Sequence, residues 1–227
     1  MATTINHPSH VMLGKRRVLI VDDHPLVRRG IAELISREAD LEVCGEAADS
    51  CEALQQIKSQ QPDVVVVDLS LRGGHGIELI EQVKQTGGAT KMVVLSVYDE
   101  ALFAERALRA GAMGYVNKQE PHDHLIDAIH EVLRGQIYLS AAMSSRLLHS
   151  VVGGQPLNHD PIKTLSNREL EIFEMIGDGM ATKKIAGKLQ LSSKTIESHR
   201  EKIKMKLNLS NSAELNRRAV QWVLEKR

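Results

Sequence analysis

Four consecutive valines at residues 64–67 constrain the fold more than any other stretch, and they end on Asp68. A short β-branched run without alternation is typical of a strand buried on both faces of a parallel sheet. A second apolar run, residues 18–21, ends in the same way on Asp22 and Asp23. Ligand sites in open parallel sheets lie beyond the carboxyl ends of the strands. The pattern therefore predicts that three carboxylates meet at one edge of such a sheet.

Strand and helix patterns alternate strictly through the first part of the chain. Apolar runs at residues 41–47, 92–96 and 114–116 predict three further strands, and helical periodicity follows each of the five. This alternation predicts an α/β fold, a doubly wound five-stranded parallel sheet with helices on both faces. The run at residues 41–47 half-alternates between apolar and polar positions, so we expect it near an edge of the sheet.

The last part of the chain carries only helical patterns, which predicts a small all-α domain of four helices. Ser166 and Glu169 have the spacing of a capping box, and Thr182 and Ser193 are the predicted caps of the next two helices. We divide the chain into a loose tail (1–14), an α/β domain (15–138), a linker with one helix (139–163) and a helical domain (164–227).

The two parts carry opposite charge, although the 227-residue chain has a formal net charge of zero. Residues 1–159 hold 15 Lys and Arg against 20 Asp and Glu, a net charge of −5. Residues 160–227 hold 14 against 9, a net charge of +5. The imbalance favours metal or phosphate chemistry in the first part and a polyanion partner for the second. Ordinary surface variation is the alternative explanation.

The cysteine content and the hydropathy pattern favour a cytoplasmic protein. Cys44 and Cys51 lack metal-ligand spacing and fall at apolar positions, where we expect small core side chains. No run approaches the roughly 18 apolar residues of a membrane span. The first 14 residues also lack the apolar core of a signal peptide.

The order and spacing of several motifs resemble two-component response regulators of the NarL/FixJ subgroup over nearly all of residues 16–224. The α/β part resembles the flavodoxin-like receiver domain of that family, in residues 21–25, 67–69, 95–96 and 111–118. The tail resembles a LuxR-type helix-turn-helix domain, in residues 165–169, 197–200 and 206–207.

This resemblance implies a phosphoacceptor with a bound cation. Asp68 would accept a phosphoryl group from a sensor histidine kinase. Mg²⁺ would be bound by Asp22, Asp23, Asp68 and the backbone carbonyl of Ser70, because hard oxygen ligands suit this ion.

The resemblance also implies a switch at the neighbouring strand ends. Lys118 would pair with the phosphoryl oxygens, and Ser96 would donate its hydroxyl to the same group. Tyr115 would turn inward as Ser96 moves, which changes the surface that a partner reads. For Ser96 the alternative is a strand-end cap, and for Tyr115 it is a packed aromatic side chain.

One loop departs from the family pattern. Residues 71–76 read Leu-Arg-Gly-Gly-His-Gly, where the family commonly has Leu-Pro and an Asp before the final glycine. Loss of the proline predicts a looser loop around the Ser70 carbonyl, and Arg72 and His75 bring positive charge near the site. We interpret His24 and His75 as loop residues, since oxygen ligands suit Mg²⁺.

In the tail, the resemblance implies a DNA-binding motif of two helices, residues 183–189 and 193–207, the second entering the major groove. On a helical wheel Ile196, His199, Ile203 and Leu207 face the core. We expect base or phosphate contacts from Lys183, Lys184, Lys194, Thr195, Glu197, Ser198, Arg200, Glu201 and Lys204. A solvated charged face is the alternative. The last helix resembles the dimer helix of the family, with contacts expected from Ala213, Leu215, Asn216 and Arg217.

Together these features predict a phosphorylation-switched transcription regulator that binds double-stranded DNA as a homodimer, not an enzyme beyond slow self-catalysed phosphotransfer and dephosphorylation. In its unphosphorylated form we expect the first domain to cover the recognition helix or its dimer face. Two alternatives stay open. A phosphatase with the same nucleophile usually has a second Asp where Ser70 stands. A phosphorylation-independent regulator would act through DNA or protein contacts with an idle receiver.

Overall fold

The computed structural model describes residues 14–72, 74–121, 123–152 and 161–226. They form an α/β domain followed by a helical domain. Residues 1–13 of the predicted tail and residues 153–160 of the predicted linker lie outside the described part of the chain.

The described residues of the α/β domain form the strands β1 Arg16–Val21, β2 Leu41–Ala47, β3 Val64–Val67, β4 Ser70–Leu71, β5 Gly74–His75, β6 Lys91–Ser96 and β7 Gly114–Asn117. Five of them form a parallel sheet in the order β2-β1-β3-β6-β7, and β4 pairs with β5 in a separate antiparallel hairpin. The predicted sheet is confirmed, with β2 at its edge. The strand order reverses at β1 and β3, which is where a ligand crevice opens in doubly wound sheets.

Helices cover both faces of this sheet: α1 Pro25–Ser36, α2 Ser50–Gln60, α3 Gly76–Gln85, α4 Glu100–Ala110 and α5 Asp123–Leu133, followed by α6 Ala141–Val152. Successive strand residues point to opposite faces, so that Val64 and Val66 pack with α1 and α5. Val65 and Val67 pack with α2, α3 and α4 on the other side. The unbroken valine run thus reflects burial on both faces.

The helical domain begins with a 3₁₀ turn at Pro161–Thr164 and continues with α7 Asn167–Gly177, α8 Thr182–Lys188, α9 Ser193–Lys206 and α10 Ser212–Lys226. The capping box of Ser166 and Glu169 is confirmed. Two predicted caps are wrong by one residue. Ala181 precedes α8 without a side-chain cap, and Ser192 accepts the cap bond of α9 from the Thr195 amide.

Two further expectations have different outcomes. Cys44 is half-buried, but Cys51 is exposed on α2, so its interpretation as a core side chain is wrong. Among the described residues, no helix combines the length and the apolarity that crossing a bilayer requires.

Candidate functional site

Three carboxylates meet at the carboxyl ends of β1 and β3. These strands pair in parallel with Val21 opposite Val67, so the next residues, Asp22 and Asp68, emerge side by side. The exposed fractions of Asp22, Asp23 and Asp68 are only 1%, 6% and 3%. The predicted cluster is therefore present, and it is buried.

Lys118 supplies the positive charge of this cluster, which we call the acidic site (Asp22, Asp23, Asp68 and Lys118). It follows β7, and its Nζ lies 2.6 Å from Asp22 Oδ2 and 2.9 Å from Asp68 Oδ2. Burial opposes the charged form of Lys118, but the two carboxylates outweigh that effect and raise its pKa. The ammonium therefore stays charged and offsets part of the negative charge.

The remaining carboxylate oxygens fit a divalent cation. Oδ1 of Asp68 and Oδ1 of Asp23 are buried without a hydrogen-bond donor. His24 Nδ1 lies 2.7 Å from Asp23 Oδ1 but outside hydrogen-bond geometry. One ligand atom from each of Asp22, Asp23, His24 and Asp68 falls within 4.8 Å of the others. Unpaired buried carboxylate oxygens are costly, and a cation with hard oxygen ligands would satisfy them.

Burial sets the protonation of Asp68 in the absence of a cation. It raises the pKa of Asp68 to about 6, while Lys118 opposes the shift and Asp22 adds to it. The carboxylate of Asp68 thus carries a charge that its surroundings penalise. A group of this kind in a polar crevice is a candidate for chemistry.

A glycine brings the following helix close to Asp68. A Cβ at Gly76 would overlap the backbone carbonyl oxygen of Asp68 and lie 2.9 Å from Leu69 Cα. The Gly76 amide donates to the Leu69 carbonyl over 2.8 Å. Glycine is therefore needed here for the close approach of two backbone segments.

The loop that departs from the family pattern is paired, so the expected loosening is not seen in its described residues. Ser70 and Leu71 pair with His75 and Gly74. Arg72 Nε lies 3.8 Å from Asp23 Oδ2, which confirms positive charge beside the site. His75 is different.

The prediction that His75 is a charged loop residue is wrong. Only 1% of its surface is exposed, and its Nδ1 caps α3 by accepting from the Ile77 amide over 3.2 Å. Its ring stacks on Phe103 with centroids 5.8 Å apart. Burial lowers the pKa of His75 to about 3, and Arg168 and Arg106 act in the same direction. The imidazole is therefore neutral, and His75 is part of the packing behind the site.

The two predicted switch residues, Ser96 and Tyr115, are both hydrogen-bonded to the backbone of Tyr98. Ser96 is fully buried, and its Oγ accepts from the Tyr98 amide over 3.2 Å. Tyr115 is 2% exposed, and its hydroxyl donates to the Tyr98 carbonyl over 2.9 Å. Tyr115 therefore already points inward, contrary to the expectation that it turns inward only when Ser96 moves.

In the helical domain, α8 and α9 form the predicted helix-turn-helix, with Gln190 in the turn at φ 53°. The α9 side chains Ile196 and Ile203 are buried, while His199 of α9 and Leu207, which follows the helix, are half-buried. Most of the predicted DNA-contacting side chains are exposed, namely Lys183, Lys184, Lys194, Glu197, Ser198 and Glu201, and Thr195 and Lys204 are partly exposed. A charged outer face is thus available along α9.

Two predicted contact residues are placed elsewhere. Arg200 is only 8% exposed, and its Nη2 donates to Asn216 Oδ1 over 3.2 Å, so it is a packing residue between α9 and α10. Leu215 is fully buried, while Ala213, Asn216 and Arg217 are exposed on the same helix. The period of α10 directs Leu215 into the core.

The two domains meet through α7 and through the turn after α8. Glu171 Oε1 accepts from Ser70 Oγ over 3.0 Å, and Gln190 Nε2 donates to Asp23 Oδ2 over 3.1 Å. Arg106 on α4 donates to the Leu165 carbonyl over 2.8 Å. The outer face of α9 and the expected dimer positions of α10 are exposed, so the expectation that the first domain covers them is wrong.

Sequence reasoning did not single out Glu171, Gln190 or Arg106. Glu171 reads as an ordinary charged position on an amphipathic helix. Only the docking of α7 on the other domain reveals its role, since nothing in the local pattern shows which face of a helix meets a partner.

Each of the two domains matches a known protein family. Residues 18–130 match the family described as "Response regulator receiver domain" and residues 163–219 the family "Bacterial regulatory proteins, luxR family". The chain is 38% identical over 216 residues to the oxygen regulatory protein NreC of Staphylococcus carnosus, covering 93% of this chain and 98% of that protein.

Two solved structures are similar to this chain over most of its length. RcsB from Salmonella enterica serovar Typhimurium, bound to promoter rprA in the presence of phosphomimetic BeF3-, is 28% identical with a TM-score of 0.58, covering 90% of this chain and 98% of that one. The response regulator ChrA of a heme-sensing two-component system is 31% identical with a TM-score of 0.50, covering 92% and 98%. The family regulates transcription and is not a class of enzymes. This chain belongs to the two-component response regulators of the NarL type, with a receiver domain followed by a LuxR-type DNA-binding domain.

Proposed function

We propose that this response regulator takes a phosphoryl group onto Asp68 from the phosphohistidine of a sensor histidine kinase, and that this controls its binding to DNA. The observation that carries the proposal is the buried contact of Asp68 with Lys118 at 2.9 Å, beside Asp22 and Asp23. A lysine ammonium next to a buried carboxylate can neutralise the added negative charge.

The transfer forms one bond and breaks another. An oxygen of Asp68 attacks the phosphorus, the P–N bond of the phosphohistidine breaks, and the imidazole leaves with the bonding electron pair. Dephosphorylation, slow and self-catalysed, is attack of water on the same phosphorus, which releases inorganic phosphate and restores Asp68. Neither step makes the chain an enzyme for a separate substrate.

Asp22, Asp23, Asp68 and the backbone carbonyl of Ser70 would hold Mg²⁺, with Asp22 acting largely through water. When bound, the ion neutralises charge on the attacking carboxylate and on the transferred group. Oδ1 of Asp23 and Oδ1 of Asp68, neither of which accepts a hydrogen bond, support this assignment.

Lys118 and Ser96 would hold the transferred group. The Lys118 ammonium is a compact charge on a flexible side chain, so it can move from Asp22 to the phosphoryl oxygens. The Ser96 hydroxyl would donate to the same oxygens as its side chain turns toward them and away from the Tyr98 amide. Tyr115 is joined to that loop through the Tyr98 carbonyl and would follow its movement.

The DNA-binding domain would use α9 in the major groove and exposed lysines on the phosphates. The net charge of +5 over residues 160–227 supports a polyanion partner. We further propose a homodimer through the exposed positions Ala213, Asn216 and Arg217. The proposal includes the division of the chain into residues 1–14, 15–138, 139–163 and 164–227. It also includes a location in the cytoplasm, where a bacterial regulator meets DNA.

The test is the intact mass after incubation with Mg²⁺ and acetyl phosphate. We expect one phosphoryl adduct on the wild type, none on Asp68→Asn, and a wild-type result for Asp123→Asn, which removes an exposed carboxylate of α5. An adduct that survives in Asp68→Asn, or no adduct on the wild type at saturating Mg²⁺, would overturn the proposal.

A further inference from the structure

Glu171, on α7 of the DNA-binding domain, is fully buried against the receiver. Its Oε1 accepts from the hydroxyls of Ser70 and Tyr98, and its Oε2 lies 2.6 Å from Arg168 Nη1. We call these four residues the Glu171 cluster. Arg168 lies on the same helix as Glu171, whereas Ser70 and Tyr98 belong to the receiver, so two of these three donors reach the carboxylate only while the two domains are docked.

Arg168 extends the cluster to the backbone of the receiver. Its side chain is 11% exposed, and its Nη2 donates to the Gly74 carbonyl over 2.5 Å. Arg168 and Glu171 of α7 thus both end on receiver loops: the hairpin of β4 and β5, and the loop that follows β6.

These are the two loops that border the acidic site. Ser70 lies two residues after Asp68, and Tyr98 lies two residues after Ser96. The Tyr98 amide donates to Ser96 Oγ over 3.2 Å, and its carbonyl accepts from the Tyr115 hydroxyl over 2.9 Å. Tyr98 is therefore bonded to both predicted switch residues and to Glu171.

We propose that Glu171 is the residue through which the DNA-binding domain senses the state of the phosphorylation site. The inference rests on the proposed function. As Ser96 moves to donate to a phosphoryl oxygen, it leaves the Tyr98 amide, and the loop carries the Tyr98 hydroxyl away from Glu171. A buried carboxylate that loses a donor is strongly unfavourable, so α7 leaves the receiver and the domains separate.

The contacts that Arg106 and Gln190 make between the domains differ from the Glu171 cluster in position and in burial. Arg106 binds backbone and side-chain oxygens of residues 163–167 from the middle of α4, not from a loop that borders the acidic site. Gln190 is exposed, so water can replace its bond to Asp23 at little cost. Glu171, by contrast with Arg106 and Gln190, joins full burial, a charge and both loops.

Coupling of this kind is reciprocal. If phosphorylation weakens the docking of α7, then docking must weaken phosphorylation by the same factor. Removing the Glu171 charge should therefore separate the domains in the unphosphorylated protein and raise the equilibrium extent of phosphorylation.

The experiment compares wild type, Glu171→Gln, Tyr98→Phe and Glu81→Gln by small-angle scattering of the full chain, before and after acetyl phosphate with Mg²⁺. Glu171→Gln removes the negative charge that Arg168 and the two receiver hydroxyls face, and Tyr98→Phe removes one hydroxyl but keeps the ring on Phe103 (centroids 5.1 Å apart). Glu81→Gln makes the same charge change at an exposed position on α3. Fluorescence of Trp222, the single tryptophan, gives a second readout, since it is 5% exposed and borders a cleft with Leu102 of α4.

We expect unphosphorylated Glu171→Gln to have the larger radius of gyration of phosphorylated wild type, with no further increase on phosphorylation and several-fold more phosphoprotein at equilibrium. Tyr98→Phe should shift the same way by a smaller amount, and it carries the test if Glu171→Gln fails to fold. Glu81→Gln should match wild type. The inference is overturned if both cluster variants stay as compact as wild type and still expand on phosphorylation. A wild type that takes no phosphoryl group would instead contradict the proposed function itself.

Discussion

The acidic site and the Glu171 cluster are both built on buried carboxylates, but they differ in how the carboxylate oxygens are satisfied. In the acidic site, Oδ1 of Asp23 and Oδ1 of Asp68 have no hydrogen-bond donor. In the Glu171 cluster, both oxygens of Glu171 face donors. Burial alone therefore does not mark a ligand site. The incompletely satisfied cluster is the one suited to a cation, and the satisfied one is suited to hold two domains together.

Removing the positive charge of Lys118 from the acidic site should have the largest effect on the free energy of unfolding. Lys118→Met leaves Asp22 and Asp68 buried without an opposite charge, because both contact the same Nζ. We expect the free energy of unfolding to fall by about 3–5 kcal/mol without metal. Urea unfolding with and without Mg²⁺ checks this, and Mg²⁺ should restore part of the loss. Equal losses in both conditions would show that these carboxylates do not share a cation.

The second effect is the pH dependence that Asp68 confers. Burial raises its pKa to about 6 from 3.8, so the folded form binds the proton more tightly than the unfolded chain. The free energy of unfolding of the metal-free wild type therefore rises as the pH falls from about 6 to about 4. Above pH 6 the buried, ionised Asp68 lowers it. Asp68→Asn should exceed wild type in stability by about 3 kcal/mol at pH 7.5.

Urea unfolding at pH 7.5 and pH 4 measures that difference. The advantage of Asp68→Asn should shrink toward zero at the lower pH, since wild-type Asp68 is then protonated too. A difference that stays the same at both pH values would mean that Asp68 is not the group responsible.

A third prediction disturbs the geometry of the acidic site and leaves the Glu171 cluster in place. Gly76→Ala puts a methyl group into the Asp68 carbonyl, where backbone must shift. We expect a loss of about 1–3 kcal/mol and weaker Mg²⁺ binding. Gly30→Ala is the matched control, because nothing lies within 4 Å of a Cβ there, and a helix gains about 0.5–1 kcal/mol. Similar changes in both variants would contradict the close approach at Gly76.

The smallest expected effect concerns the contact between the DNA-binding domain and the acidic site. Gln190 donates to Asp23 Oδ2 and so draws charge from a carboxylate that would bind the cation through Oδ1. Docking of the DNA-binding domain should therefore weaken Mg²⁺ binding. Gln190→Ala should tighten Mg²⁺ binding about threefold, as expected for one exposed hydrogen bond. Calorimetric titration tests this, with Gln221→Ala as a control on α10. Unchanged affinity would show that the Gln190 contact does not limit the site.

The acidic site could be predicted from local pattern because each of its residues follows a strand. Asp22, Asp68 and Lys118 come directly or almost directly after apolar runs, and parallel strands end at one edge of a sheet. The recognition helix was predictable from its helical period, although its cap is Ser192 and not the predicted Ser193. Arg200 and Leu215 were placed wrongly, because a helical wheel gives their angle but not which neighbour covers that angle.

The sequence by itself determined the two folds, the strand-end carboxylates and the lysine that pairs with them, since these depend on periodicity and on the ends of elements. Only the tertiary structure decided that His75 is a neutral core residue, that Tyr115 already points inward, and that Glu171 reaches Ser70 and Tyr98. The contact between Glu171 and Ser70 spans 101 residues. A hydrogen bond across that distance depends on how two separately folded domains dock, and no local pattern encodes it.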